Sequence, residues 1–246
     1  MVTTPLLELP KELAVLQSIA LDLRWTWSHE GDALWGHIDE KLWERTLNPW
    51  TVLQGASRER LKQLAQDPKF LDKLNSFVAA RNEYFNAPGW FRAAEGDTKL
   101  GGIAYFSMEF GLGSALPIYA GGLGILAGDV LKSASDLDIP VIGIGLLYQE
   151  GYFRQLIDSR GLQQEFYPYN EPNALPVEPV ILPEAGWLKI GLELPGRVVQ
   201  LRVWKATTRL CPSAARRDRA WAGVRHSGPW TRCRGRSSTR GRPARY

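Results

Sequence analysis

A glycine-rich loop, Tyr119-Ala120-Gly121-Gly122-Leu123-Gly124, lies between a predicted strand and a predicted helix. Upstream, residues 102–108 are apolar and rich in aromatic and β-branched types, which predicts a strand. Downstream, apolar residues recur at helical spacing over 125–137 until Pro140, and 141–148 predicts a second strand. Amides that open a helix carry partial positive charge, and glycines leave them accessible, so this order favours phosphate binding.

The spacing of the loop also fits simpler or different functions. Gly-Gly-x-Gly occurs in turns that only connect two elements, and by itself it is a weak signal. The loop does not match the Gly-x-Gly-x-x-Gly dinucleotide fingerprint, and no Gly-Lys-Ser/Thr follows it. Neither a dinucleotide site nor a P-loop is therefore supported.

Three neighbouring segments carry a family resemblance. They are Tyr105-Phe106-Ser107-Met108-Glu109-Phe110-Gly111-Leu112, the run 116–129 that contains the glycine loop, and Gly145-Leu146-Leu147-Tyr148-Gln149-Glu150-Gly151-Tyr152-Phe153-Arg154-Gln155. In this order and at this spacing they resemble the glycogen/α-glucan (maltodextrin) phosphorylase family, in its prokaryotic branch. The resemblance covers about residues 1–205.

The resemblance implies an α/β fold of the GT-B glycosyltransferase type, in which an N-terminal Rossmann-like lobe follows a helical extension. It implies glucosyl transfer between an α-1,4-glucan and inorganic phosphate, giving glucose 1-phosphate, with pyridoxal phosphate as cofactor. It places substrate and phosphate at Gly121, Gly122, Leu123 and Gly124. The family's pyridoxal-bearing lysine belongs to a C-terminal lobe, so we expect it to be absent from this chain and the chain to be inactive alone.

Two alternatives stay open beside this interpretation. Starch and glycogen synthases resemble the same region but carry a lysine where this chain has Tyr119, and a neutral phenol cannot replace an ammonium opposite a pyrophosphate. The synthase interpretation is therefore the weaker one. A non-catalytic glucan-binding module is the second alternative.

Four further residues are candidates for supporting the cleft. Glu109 follows the first strand and could orient the glycine loop, although carboxylates at strand ends also cap helices. The others, Tyr148, Glu150 and Arg154, follow the second strand, where α/β proteins collect ligands. Each has only a weak individual claim.

Residues 1–95 predict a helical, tryptophan-rich extension. Leu13, Leu16, Ala20, Leu23 and Trp27 form one apolar stripe after Pro10, and Asp67-Pro68 predicts a second helix that ends at Asn86-Ala87-Pro88-Gly89. Most of the tryptophans are expected to pack in the core rather than to stack on sugars. The histidines lack partners at ligand spacing, so no metal site is expected.

Residues 96–205 form the predicted start of the phosphorylase lobe, and 206–246 form a tail of different composition. The lobe ends in a predicted β-hairpin around Pro195-Gly196 that finishes near Trp204. The chain has 30 basic and 26 acidic residues, of which the tail holds eleven arginines and one aspartate, so 19 basic and 25 acidic residues precede it. Such a tail could bind nucleic acid, but we expect instead that it is an out-of-frame translation and is disordered.

Length and composition set the outer limits. The 246 residues, 44% of them hydrophobic, suffice for one large domain or for a domain with an extension. No apolar run is long enough to span a membrane, and the N-terminus lacks the features of a signal peptide. We therefore expect no membrane partner and a cytoplasmic location, while the oligomeric state is left open.

Overall fold

The computed structural model describes residues 7–95, 102–209 and 219–226. Its α-helices are α1 (Val15–Ala20), α2 (Asp32–Ile38), α3 (Glu40–Thr46), α4 (Pro49–Gly55), α5 (Arg58–Leu64), α6 (Pro68–Asn86), α7 (Trp90–Glu95) and α8 (Gly122–Asp136). Its strands are β1 (Ile103–Phe106), β2 (Val141–Leu146), β3 (Arg154–Ile157), β4 (Gln163–Phe166), β5 (Glu178–Pro179), β6 (Ile181–Leu182), β7 (Gly186–Trp187), β8 (Lys189–Leu194), β9 (Arg197–Arg209) and β10 (Arg219–His226). Short 3-10 turns cover Lys11–Leu13, Leu23–Thr26, His29–Gly31 and Pro172–Ala174.

Side-chain caps define the starts of several helices in the N-terminal region. Asn48 accepts hydrogen bonds from the amides of Trp50 and Thr51, and Asp67 accepts one from Lys69. Each cap precedes a proline at the first helical position, where no amide is needed. The predicted helix from Pro68 to Asn86 is confirmed at both ends.

The prediction that the apolar stripe from Leu13 to Trp27 lies on a single helix is wrong. Helix α1 ends at Ala20, and Asp22 then accepts the amide of Arg24 to start a 3-10 turn. The buried Asp22 carboxylate is also held by Arg81 of α6, so a contact across the fold overrides local helical propensity.

Two hydrophobic clusters divide the described residues. The first lies among the N-terminal helices and includes Trp35 and Trp50, both almost fully buried. The second lies between the sheet and α8 and includes Trp25 and Phe110. The tryptophans in question are Trp25, Trp27, Trp35, Trp43 and Trp50. Packing in the core is confirmed for Trp25, Trp35 and Trp50, while Trp27 and Trp43 are only half-buried.

The larger sheet has the order β1-β2-β10-β9-β5, with β8 paired to β9. Strands β1 and β2 are parallel and connected by α8, so the predicted β-loop-α-β order is confirmed. Strands β3 with β4 and β6 with β7 form two small antiparallel sheets. The chain is therefore a mixed α/β protein with an N-terminal helical region, and a complete Rossmann-like lobe stays a prediction.

The predicted hairpin β8-β9 is confirmed, with Gly196 at φ +78° in its turn, but its end near Trp204 is wrong. Strand β9 runs on to Arg209, and β10 pairs with both β9 and β2. Ala206, Thr207 and Thr208 are buried, so pairing in the sheet extends β9 into the tail predicted to be disordered. The rest of that tail, 210–218 and 227–246, lies outside the described residues.

Candidate functional site

The glycine loop lies beyond the carboxyl end of β1 and leads into α8. Gly121 is extended and accepts a hydrogen bond from the Ile125 amide at 3.1 Å, while no side chain caps the helix. A Cβ atom built at Gly121 or Gly122 would meet nothing within 4 Å. Because the first amides of a helix lack intrahelical partners, this open end of α8 can accept an anion.

Gly124 lies on the opposite, crowded side of the same loop. A Cβ atom there would lie 2.5 Å from Tyr119 Cβ and 3.0 Å from a carboxylate oxygen of Glu109. Its carbonyl accepts the Gly111 amide at 2.7 Å. The loop therefore has two kinds of glycine, open ones facing solvent and a closed one that packs against the preceding segment.

Glu109 holds the loop from this crowded side. Its Oε2 accepts the Ala120 amide at 3.1 Å, and its own amide donates to Ser107 Oγ at 3.3 Å. The carboxylate thus contacts the residue immediately before Gly121. This geometry suits a positioning role for Glu109.

Tyr148 lies near Glu109, at the end of β2. Its hydroxyl donates to the Met108 carbonyl at 2.9 Å, and its own carbonyl accepts from Asn170 Nδ2 at 3.1 Å. Burial, reinforced by the negative charge of Glu109, raises the pKa of the Tyr148 phenol. Tyr148 therefore stays protonated at neutral pH and can serve as a hydrogen-bond donor.

The other two candidates lie elsewhere. Glu150 forms an isolated antiparallel bridge with Tyr169, and Arg154 pairs with Phe166 on the exposed β3-β4 hairpin. Within the described ranges, no hydrogen bond or ion pair connects either side chain to the glycine loop. The structure thus brings together the loop, Glu109 and Tyr148, whereas none of the described hydrogen bonds or ion pairs connects Glu150 or Arg154 to them.

Sequence reasoning missed Asn170 and Gly128. Asn170 is buried, and its backbone amide donates to the Gln149 carbonyl at 2.7 Å. Together with its side-chain hydrogen bond to Tyr148, this connects the segment after β4 to the segment after β2. Gly128 packs on Gly111, because a Cβ atom there would lie 2.6 Å from the Gly111 carbonyl carbon. Gly124 and Gly128 are four residues apart on one helix face, a spacing that could have signalled this close approach.

One lysine, Lys132, lies on α8 itself. Lys132 lies ten positions after Gly122, about 15 Å along the helix axis. Lys205 pairs with Glu178 at 3.7 Å, far along the chain from the loop. A pyridoxal aldehyde needs a lysine amine, and the absence of the family's cofactor lysine from this chain stays a prediction.

Over residues 7–95, 102–209 and 219–226, no group of three or more His, Cys, Asp or Glu side chains is placed to hold a metal ion. Both cysteines, Cys211 and Cys233, lie outside these ranges. None of the described helices combines the length and the apolar character that crossing a membrane requires.

A family model described as "Protein of unknown function (DUF3417)" matches residues 9–116, which include the helical region and β1. The match ends before the glycine loop.

Longer similarities extend to named enzymes. The chain is 40% identical over 208 residues to a glycogen phosphorylase of Mycobacterium tuberculosis, covering 80% of this chain and 24% of that protein. It is 36% identical over 198 residues to a maltodextrin phosphorylase of Thermococcus litoralis, with the same coverage, and 35% identical over 191 residues to a glycogen phosphorylase of Aquifex aeolicus, covering 77% and 27%. The chain is homologous to the N-terminal part of prokaryotic glycogen and maltodextrin phosphorylases, and it spans about a quarter of their length.

Proposed function

We propose that this chain forms one wall of an α-1,4-glucan phosphorylase site, in which Gly121, Gly122, Leu123 and Gly124 face the phosphate and the glucosyl unit. The observation that supports the proposal is the open start of α8 in a chain homologous to phosphorylases. Phosphorolysis gathers negative charge, and amide donors fixed in advance stabilise that charge without reorganising during the reaction. Glu109 holds the loop from behind, so its carboxylate does not occupy the open side.

We propose that the chain is inactive alone, because a phosphorylase also needs the lobe that this chain does not cover. A cytoplasmic location, the glucan and inorganic phosphate belong to the same proposal. Tyr119 stands where nucleotide-sugar synthases carry a lysine, and residues 119–124 contain no lysine or arginine that could bind a pyrophosphate. This disfavours a nucleotide-sugar synthase.

Phosphate binding to the isolated chain tests the role of the loop. Titration with inorganic phosphate should shift the amide resonances of Gly121–Gly124 in a ¹H–¹⁵N correlation spectrum. Gly122→Val should weaken this binding at least tenfold, because a branched side chain would fill the open approach. Ser133→Val, at an exposed position near the other end of α8, is the matched control and should leave the binding unchanged.

Two results would contradict the proposal. The first is a phosphate titration that leaves these four amides unmoved, or that moves them equally in the Gly122→Val variant. The second is activity of the purified chain by itself. If it releases glucose 1-phosphate from maltodextrin, with or without added pyridoxal phosphate, no second lobe is needed.

A further inference from the structure

The N-terminal helical extension reaches beyond its own hydrophobic cluster into the second one. Leu23 and Trp25, on the 3-10 turn Leu23–Thr26, are buried in the cluster that also contains Ala127 and Leu131 of α8. The turn therefore belongs to the extension in sequence, but it packs in the same core as the helix that follows the glycine loop.

The far end of α8 is hydrogen-bonded to two side chains of the extension. Asp136, the last residue of α8, accepts the Tyr84 hydroxyl at 2.6 Å and the Trp27 indole N–H at 3.3 Å, both through Oδ1. The Arg24 guanidinium lies over the Tyr84 ring, 3.9 Å from its centre. Burial, together with the hydrogen bond to Asp136, raises the pKa of the Tyr84 phenol, so Tyr84 stays a donor at neutral pH.

Asp136 is an unfavourable residue for this position if the helix is considered alone. The C-terminus of a helix carries partial negative charge, so an acidic side chain in the last turn is destabilising there. Helix α8 has no basic residue in its last turn. Hydrogen bonds to a charged acceptor are stronger than neutral ones, and Asp136 receives two of them from the extension. A residue that breaks a local rule in this way indicates a compensating role in the tertiary structure.

A second contact joins the extension to the segment before the glycine loop. A Cβ atom built at Gly113 would lie 2.7 Å from Thr26 Cγ2, so the backbone at Gly113 packs directly on the Thr26 side chain. Gly111, two residues earlier, donates its amide to the Gly124 carbonyl at 2.7 Å. The extension thus contacts both α8 and the segment to which the first turn of α8 is hydrogen-bonded.

We propose that the helical extension positions the glycine loop, and that Tyr84 is a positioning residue that acts through Asp136. Gly122 and Asp136 are fourteen positions apart, about 21 Å along the helix axis, so Tyr84 does not touch a ligand at the loop. Because a helix of this length moves as one rigid element, holding its last residue limits how far its first amides can shift.

The proposal gives a role to the region that matches a family model of unknown function. That match, over residues 9–116, includes Trp27, Tyr84 and Gly113 but ends before α8. The positioning role rests on the proposed function, in which the first amides of α8 bind phosphate.

Hydrogen exchange at the Gly111 amide measures how firmly α8 is seated, because this amide donates to the Gly124 carbonyl. Tyr84→Phe removes the hydroxyl donor and keeps the ring beneath Arg24. In the full 246-residue chain without phosphate, Tyr84→Phe should speed exchange at Gly111 at least fivefold. It should also weaken the binding of inorganic phosphate to the glycine loop at least threefold.

Substitutions of Asp136 test the same contact from the other side. Asp136→Ala removes the acceptor and should match Tyr84→Phe in both measurements. Asp136→Asn keeps an oxygen that can accept both hydrogen bonds, so exchange and phosphate affinity should stay within twofold of the unsubstituted chain.

Asn48→Ala is the matched control for a loss of stability alone. Asn48 accepts the amides of Trp50 and Thr51 at the start of α4, which packs in the first cluster. Loss of this cap should lower the midpoint of thermal unfolding at least as much as Tyr84→Phe does. Exchange at Gly111 and phosphate binding should nevertheless stay unchanged, because local opening dominates exchange without denaturant.

Three results would overturn the positioning role: unchanged exchange at Gly111 in Tyr84→Phe, an equal increase in Asn48→Ala, or faster exchange with unaltered phosphate affinity. The proposed function fails by a different result, a phosphate titration that leaves the loop amides of the unsubstituted chain unmoved. Exchange at Gly111 is measured without phosphate, so in that case it still decides whether the extension holds α8.

Discussion

Replacing Gly128 by alanine should destabilise the chain, although alanine is the better helix former. Gly128 lies on the buried face of α8, and the added Cβ would lie 2.6 Å from the carbonyl carbon of Gly111. Carbon atoms pack at about 3.5–4.0 Å, so the two backbones would have to separate by roughly 1 Å. That shift would also strain the 2.7 Å hydrogen bond from the Gly111 amide to the Gly124 carbonyl.

The opposing contributions give the size of the effect. Overpacking a buried site costs about 1–3 kcal/mol, and the upper end applies here because the obstacle is backbone rather than a movable side chain. Loss of the hydrogen bond destabilises the chain by about 1 kcal/mol more. The higher helix propensity of alanine offsets about 1 kcal/mol of this cost. The free energy of unfolding should therefore fall by about 2–3 kcal/mol.

Gly122→Ala is the matched control on the same helix. Nothing lies within 4 Å of its added Cβ, so its stability should change by no more than about 0.5 kcal/mol. Urea unfolding followed by circular dichroism measures both variants, and equal slopes make the midpoints comparable. If Gly128→Ala proves as stable as Gly122→Ala, the close approach of α8 to Gly111 is refuted.

Three further predictions concern charged groups. Arg81→Ala should cost about 3–5 kcal/mol of stability because it leaves the buried Asp22 carboxylate without its partner, whereas Arg58→Ala, which removes an exposed ion pair, should cost under about 1 kcal/mol. Burial raises the pKa of Asp22 from 3.8 to about 6 despite Arg81, so its contribution to stability is present below pH 3.8 and is lost as the pH rises through 6. Urea unfolding between pH 4 and 7 should show this loss, about 3 kcal/mol at most, and Asp22→Asn should remove it. Glu109→Ala should speed hydrogen exchange at the Ala120 amide several-fold, and unchanged exchange would show that the carboxylate does not hold the loop.

The sequence predicts the centre of the fold well because the signals there are local. Apolar runs on either side of the glycine loop predict β1, α8 and β2, and Pro140 predicts the end of the helical run. The cap and proline at Asp67-Pro68 predict the start of α6 in the same way. Each of these elements is specified by residues within a few positions of its ends.

Prediction from the sequence fails for elements that depend on contacts between residues far apart in the chain. The break after α1 depends on Asp22, whose carboxylate meets Arg81 and whose backbone forms a bridge with Thr207. The extension of β9 depends on pairing with β10, and Ala206 and Thr207 carry no alternating pattern that predicts a buried strand. No local pattern contains these contacts, so periodicity alone could not predict them.

The candidate site shows the same limit within a single loop. Gly121, Gly122 and Gly124 look equivalent in sequence, yet the first two are open and the third is enclosed by Tyr119 and Glu109. An open glycine leaves room for a ligand, whereas an enclosed glycine packs against its neighbours, and the sequence alone does not distinguish the two.

The open side also explains why we expect the chain to be inactive alone. Amide donors at an exposed helix terminus compete with water, and they contribute most to catalysis where water is excluded. Among the described residues the loop is supported by Glu109 and Gly111, and Gly121 and Gly122 on its outer side are exposed. Phosphate should therefore bind the isolated loop weakly, with a Kd on the order of 1 mM or above.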